Sequence, residues 1–218
     1  MRNIIFIAPP AAGKGTQSKL VSEEYNIPHI STGDLLRAEI AQESELGKSI
    51  KEDMEKGNLV SDEVITTLLK NRITSPDCKN GYILDGYPRN IAQAKTYENL
   101  LKELNYDNST VIFFDIDKER ALKRTISRII CPNCGSSYNL LVDELKPQVD
   151  NICDRCHHEL KTRKDDTEEV FKNRFDTYIN STKELIDYYK DLNMLHIIEV
   201  LDKSANTIFK EVKKVLND

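Results

Sequence analysis

The chain has 218 residues, 39% hydrophobic and 31% charged, which suits one domain with a sizeable core and insertions. Its net charge of −5 gives no general basic field, so a polyanion must be held by locally placed Arg and Lys, and duplex nucleic acid is not the expected partner. No run is long enough to span a membrane, four apolar residues before Pro9-Pro10 are too few for a signal peptide, and two Cys-x-x-Cys pairs point to the reducing cytoplasm.

In chain order, apolar strand-like runs alternate with longer amphipathic stretches, the pattern of βαβ units and a parallel sheet. The first run, 3–8, breaks into small residues and ends on Gly13-Lys14-Gly15-Thr16, which reads as a phosphate cradle. Lys14 would reach the β- and γ-phosphates and the Thr16 hydroxyl would face Mg²⁺, with a helix over 16–25. Ala8 stands where the Gly-x-x-x-x-Gly-Lys-Ser/Thr pattern asks for its first Gly. His29-Ile30 adds a short strand, and Ser31-Thr32-Gly33-Asp34 reads as a capping box that opens a helix carrying Leu35, Leu36 and Arg37. Further helices are expected over 45–56, closed by Gly57, and over 61–75, stopped by Pro76.

The strand 82–85 ends in Asp85, followed at once by Gly86-Tyr87-Pro88-Arg89. Beyond the carboxyl end of a parallel strand, Asp85 would meet the same Mg-nucleotide as Lys14; the alternative is an Asp that caps the helix over 90–105. A strand over 110–115 leads into a helix on which Arg124 and Arg128, four apart, share one face. Arg72, Arg120 and Arg155 read as surface charges. Cys131-x-x-Cys134 and Cys153-x-x-Cys156 read as a closed tetrahedral Cys₄ zinc site without an open coordination position, hence structural, the alternative being redox or merely buried cysteines. His157 and His158 are redundant beside four thiolates, and Cys78 reads as a small buried hydrophobe. Asp165-Asp166 would cap a helix over 167–190, and 195–200 is the last strand.

Jointly, Gly13-Lys14-Gly15-Thr16, Ser31 to Arg37, Leu84 to Arg89 with Gln93, Arg124 with Arg128, Arg163 to Asp166 and Arg174 resemble the adenylate kinase family along the whole chain. The resemblance implies an α/β, P-loop nucleoside monophosphate kinase fold with a parallel five-stranded sheet flanked by helices. It implies a core of 1–30, 61–128 and 166–218, an AMP-binding segment over 31–60 and a zinc-binding lid over 129–165. AMP would be held by Thr32, Arg37, Asn58, Leu59, Val60, Gly86, Arg89, Gln93, Arg163 and Arg174. ATP would be held by Ala12, Gly13, Lys14, Gly15, Thr16, Gln17, Arg124, Arg128, Ser137 and Tyr138, and Mg²⁺ would be met by Thr16 and Asp85, mainly through water.

The catalytic set implied is Lys14, Asp85, Arg89, Arg124, Arg163 and Arg174. Asp165-Asp166 would bond to the lid or the ribose once the lid closes. Partners would be ATP, AMP and ADP, with no nucleic acid or membrane, and the enzyme would be a monomer. Where the family has Gly-Ala-Pro-Gly-Ala-Gly-Lys-Gly-Thr, Ala8 and Ala11 replace two glycines, so either the dihedrals there are negative or the loop is strained. A zinc-ribbon nucleic-acid binder with a regulatory P-loop is the rival reading. Its ribbon should be basic and aromatic, yet Asp143, Glu144, Asp150, Asp154 and Glu159 dilute it.

Overall fold

A computed structural model describes residues 1–55, 60–163, 166–201 and 203–217, the side chains of 53–55 and 181 excepted. The chain runs β1 (Arg2–Ile7), α1 (Lys14–Tyr25), β2 (His29–Ser31), α2 (Thr32–Ala41), α3 (Glu45–Glu55), α4 (Asp62–Ile73), a short 3₁₀ turn (Pro76–Cys78), β3 (Gly81–Asp85) and α5 (Ile91–Glu103). It continues through β4 (Thr110–Asp115), α6 (Lys118–Ile126), β5 (Arg128–Ile130), β6 (Ser137–Asn139), a second 3₁₀ turn (Asp143–Leu145), β7 (Lys161–Thr162), α7 (Glu168–Asp191), β8 (Leu195–Glu199) and α8 (Ala205–Asn217).

The helix-flanked parallel sheet has the order β2-β3-β1-β4-β8, and a separate three-stranded antiparallel sheet has the order β6-β5-β7. No helix among the described residues is long and apolar enough to cross a membrane.

The chain divides into two compact units, one of Met1–Ile7, Ser18–Phe113 and Glu184–His196, the other of Ala8–Gln17, Phe114–Lys183 and Ile197–Asp218. In the first, Ile4, Ile5, Phe6, Ile83, Leu84, Val111 and Ile112 are all buried. Strands covered on both faces read as unbroken apolar runs, and these are such strands. One buried polar chain in this core is paired: the hydroxyls of Tyr82 and Tyr97 lie 2.9 Å apart and that of Tyr97 lies 2.8 Å from Ser109 Oγ. In the second unit, Phe114, Ile116, Ala121, Phe171, Val200 and Val212 are buried, and the small sheet gathers Ile129, Cys131, Cys153 and Leu160.

Caps set most helix ends. Ser61 accepts from the Val64 N–H, Asn90 from Gln93 and Asp117 from Arg120, so α4, α5 and α6 each start one residue after the capping side chain. Three expectations are corrected. Ser31 makes no capping bond; it ends β2 opposite Asp85, and the Asp34 carboxylate pairs with Arg37 at 2.5 Å. Arg128 does not share a helix face with Arg124, because α6 stops at Ile126 and Arg128 opens β5. The cap of α7 is Thr167, whose Oγ1 accepts from the Val170 N–H.

Helix α1 starts at Lys14, two residues earlier than expected, and α8 was absent from the sequence reading. The ends expected at Lys56 and Gly57 lie outside the described residues. Cys78 is fully buried with Arg72 Nη1 3.1 Å from its sulfur, and burial pushes the thiol up to about 11, so it is the inert, small core side chain expected.

Candidate active site

In the first unit, the turn after β3 brings one constellation together. Gly86 has φ +81°, a backbone that only Gly adopts without strain, and a Cβ there would lie 3.2 Å from Thr32 Oγ1. Thr32 begins α2, and its hydroxyl lies 3.4 Å from the Gly86 carbonyl and 3.4 Å from Arg89 Nη2. Arg89 Nε donates to the Gly86 carbonyl at 2.8 Å, and the Arg89 N–H donates to Gln93 Oε1 at 2.8 Å. Gln93, on the first turn of α5, is 6% exposed and donates from Nε2 to the Asp62 carboxylate at 2.7 Å. Thr32, Gly86, Arg89 and Gln93 therefore form one hydrogen-bonded cluster, while Arg37 folds over Gly33 on the exposed side of α2.

Asp85 closes β3 and its Oδ2 lies 3.1 Å from His29 Nε2. The helix-capping alternative for Asp85 fails, since Asn90 caps α5. Val60 is half-buried ahead of the α4 cap; Asn58 and Leu59 lie outside the described residues.

The second unit carries the loop after β1. Ala11 has φ +61° and Gly13 φ +88°, so the loop is strained at Ala11, at a cost of roughly 1 kcal/mol. Nothing lies within 4 Å of a Cβ placed on Gly13 or Gly15, which leaves an open cradle at the start of α1. A helix N-terminus directs its N–H groups and positive dipole end at whatever fills such a cradle. Lys14 and Thr16 stand in that first turn. Two groups of the expected set are engaged within the protein: the Ala12 N–H reaches the Pro9 carbonyl at 3.4 Å, and the buried Gln17 donates from its side chain to Ala205 O at 2.9 Å.

The same unit holds a cleft of about 350 Å³, lined by Arg120, Arg124, Leu141, Val142, Leu201 and Lys203 among others. Its apolar walls and a rim on which Arg120, Lys123, Arg124 and Lys203 outnumber Asp143 and Glu144 suit a flat, anion-bearing ligand. Arg124 Nη2 reaches Leu201 O at 3.4 Å. Ser137 and Tyr138 do not line it: the Tyr138 hydroxyl lies 3.3 Å from Cys153 Sγ and accepts from the Asp154 N–H at 2.8 Å. Arg120, Leu141, Val142 and Leu201 were missed by sequence reasoning, because no local pattern marks residues that meet only through the fold. Arg128 is held two-pronged by Asp166, whose side chain is nearly buried, with Nε 2.8 Å from Oδ2. Arg163 and Arg174 are exposed, and Lys164 and Asp165 lie outside the described residues.

The four sulfurs of Cys131, Cys134, Cys153 and Cys156 lie within 4.8 Å of one another. Zn–S bonds of about 2.3 Å give tetrahedral S···S edges of about 3.8 Å, so the set fits the ion. Both pairs form the same knuckle, in which the residue four after the first Cys donates its N–H to that Cys carbonyl: Gly135 to Cys131 at 3.0 Å and His157 to Cys153 at 2.8 Å. Gly135 has φ +70° and His157 φ +59°, which explains His157 as a turn residue and leaves it out of the ligand set. Burial opposes ionisation of Cys153, but the Tyr138 hydroxyl and the N–H groups of Cys156 and Arg155 outweigh it and pull the thiol down to about 5. Cys156 is lowered chiefly by the His158 N–H, so thiolate, the metal-binding form, is favoured at both.

The model of the family described as adenylate kinase matches residues 6–194. Relatives named adenylate kinase include that of Thermosipho africanus, 44% identical over 98% of this chain and 99% of that protein. That of Archaeoglobus fulgidus is 46% identical over 98% and 97%, and that of Clostridium perfringens 42% over 98% and 97%. The chain thus belongs to the adenylate kinase family of phosphotransferases, which interconvert ATP and AMP with two ADP.

Proposed function

We propose that AMP is bound by the cluster Thr32, Gly86, Arg89 and Gln93, with Arg37 and the 58–60 stretch completing its contacts, and that Mg-ATP is bound by the 12–16 cradle, Arg124 and Arg128. The observation that carries the reading is the cluster itself, since four residues singled out for one nucleotide meet in one hydrogen-bonded group. The 350 Å³ cleft beside Arg124 is of the size and polarity of a nucleoside site and supports placing the ATP base there. Lys14, Arg163 and Arg174 then face the charge that develops on the transferred phosphoryl, and guanidinium forks hold it bidentately while staying charged. No general base is required, because the accepting AMP phosphate is already ionised at neutral pH. Thr16 and Asp85 carry the oxygens that would hold the water shell of Mg²⁺, which when bound would supply neutralisation of phosphate charge. Asp166 presets the Arg128 fork, so less ordering remains when phosphate arrives.

We assign the Cys₄ cluster to one structural Zn²⁺, a lid to residues 129–165, an AMP-binding segment to 31–60 and the core to the rest, in a cytoplasmic monomer. The partition between nucleotides is tested by steady-state kinetics. Arg89→Leu is expected to raise KM for AMP tenfold or more and KM for ATP less than twofold, with Arg124→Ala doing the reverse. Equal effects of Arg124→Ala on both nucleotides would contradict the assignment.

A further inference from the structure

The Gln93 amide is pinned at both ends. Oε1 accepts from the Arg89 N–H at 2.8 Å, a group that can only donate, and Nε2 donates to Asp62 Oδ1 at 2.7 Å, a group that as a carboxylate can only accept. Turning the amide over would set NH₂ against N–H and a carbonyl oxygen against a carboxylate, at a residue 6% exposed where such mismatches are costly. The pinned amide keeps one lone pair on Oε1 and one proton on Nε2. In that sense it complements an aminopurine edge, where a 6-amino group donates and N1 accepts. A 6-oxopurine presents the reverse, an accepting oxygen and an N1–H, and would be matched only by the turned amide.

We propose that Asp62 is a positioning residue that sets acceptor specificity: by fixing the direction of the Gln93 amide it favours the 6-aminopurine monophosphate and rejects 6-oxopurine monophosphates. This deepens, and rests on, the reading that Gln93 meets the acceptor base. Asp62 itself touches no nucleotide. It stands exposed at the first position of α4, whose cap is supplied separately by Ser61, so its replacement leaves the helix start in place.

The test is the ratio of kcat/KM for AMP to that for IMP in the full-length enzyme with ATP and Mg²⁺. Asp62→Asn offers either an oxygen or an NH₂ to Gln93, and the ratio is expected to fall about tenfold, through a higher KM for AMP and a lower KM for IMP with kcat for AMP nearly unchanged. Asp62→Ser, with a hydroxyl that both donates and accepts, is expected to do the same, and Asp62→Glu, still acceptor-only, to keep the ratio. A purely structural role for Asp62 would move AMP and IMP together and leave the ratio unchanged, which would overturn the proposal. Gln93→Leu separates the two layers: it should collapse the ratio. If it does so while both Asp62→Asn and Asp62→Ser leave the ratio alone, the role of Asp62 fails and that of Gln93 stands. If Gln93→Leu leaves the ratio intact, the reading of the acceptor site fails and the proposal with it.

Discussion

Replacing Lys14 by Met should lower kcat by about 10²- to 10³-fold, or about 3–4 kcal/mol of barrier, while the protein stays folded. Lys14 is the first residue of α1, next to the cradle that Gly13 and Gly15 leave open, so its ammonium would add to the helix dipole where phosphate charge accumulates. The loss should fall on kcat more than on KM for ATP, since the charge matters most once the β–γ bond is breaking. Methionine keeps the stem's length and apolar character and removes only the charge. A folded Lys14→Met enzyme, judged by its melting curve, with turnover within a fewfold of wild type would contradict the phosphate-cradle role of the loop.

Loss of the metal knuckle should be the largest stability effect. Around β5, β6 and β7 the buried cluster consists of Ile129, Leu160 and two cysteines, and two hydrocarbon side chains contribute only about 2–3 kcal/mol each. Ordering the chain between Cys131 and Cys156 costs far more than that, a difference that cross-linking by the proposed metal would supply. Cys153→Ser replaces a ligand sulfur held by the Tyr138 hydroxyl 3.3 Å away. It is expected to cost about 3 kcal/mol and lower Tm by about 6–12 °C, and chelation should do likewise to the wild type. One zinc per chain by elemental analysis, lost in Cys153→Ser, is the accompanying expectation. A variant melting with the wild type, or protein purified without zinc, would refute a structural ion.

Much of this was legible because the informative features are local in sequence. The inner strands β1, β3 and β4 are apolar runs buried on both faces, the cysteines sit at fixed short spacings, and the turn after Asp85 announces itself by Gly86 and Pro88. What escaped depends on partners far along the chain. Helix α6 stops short of Arg128 because Asn139, fifteen residues from Arg124, donates to the Arg124 carbonyl at 2.9 Å while Ser127 Oγ donates to Lys123 O at 2.7 Å. A four-residue spacing of arginines carries no trace of that. Ser31 loses its capping role to the register of β2 on β3, and the pairings of Gln93 with Asp62, 31 residues apart, and of His29 with Asp85, 56 apart, are likewise products of topology. The loop departure was visible as Ala11, but its outcome was not: only the fold shows that the residue takes φ +61° instead of relaxing.

An adenylate kinase passes phosphate between adenine nucleotides. A coupled assay of the purified enzyme with ATP and Mg²⁺, offering AMP, UMP, CMP and GMP in turn, tests it most directly. The highest kcat/KM is expected for AMP, by at least tenfold, with ADP as the product of both nucleotides; turnover of UMP, CMP or GMP faster than that of AMP would contradict AMP as the acceptor.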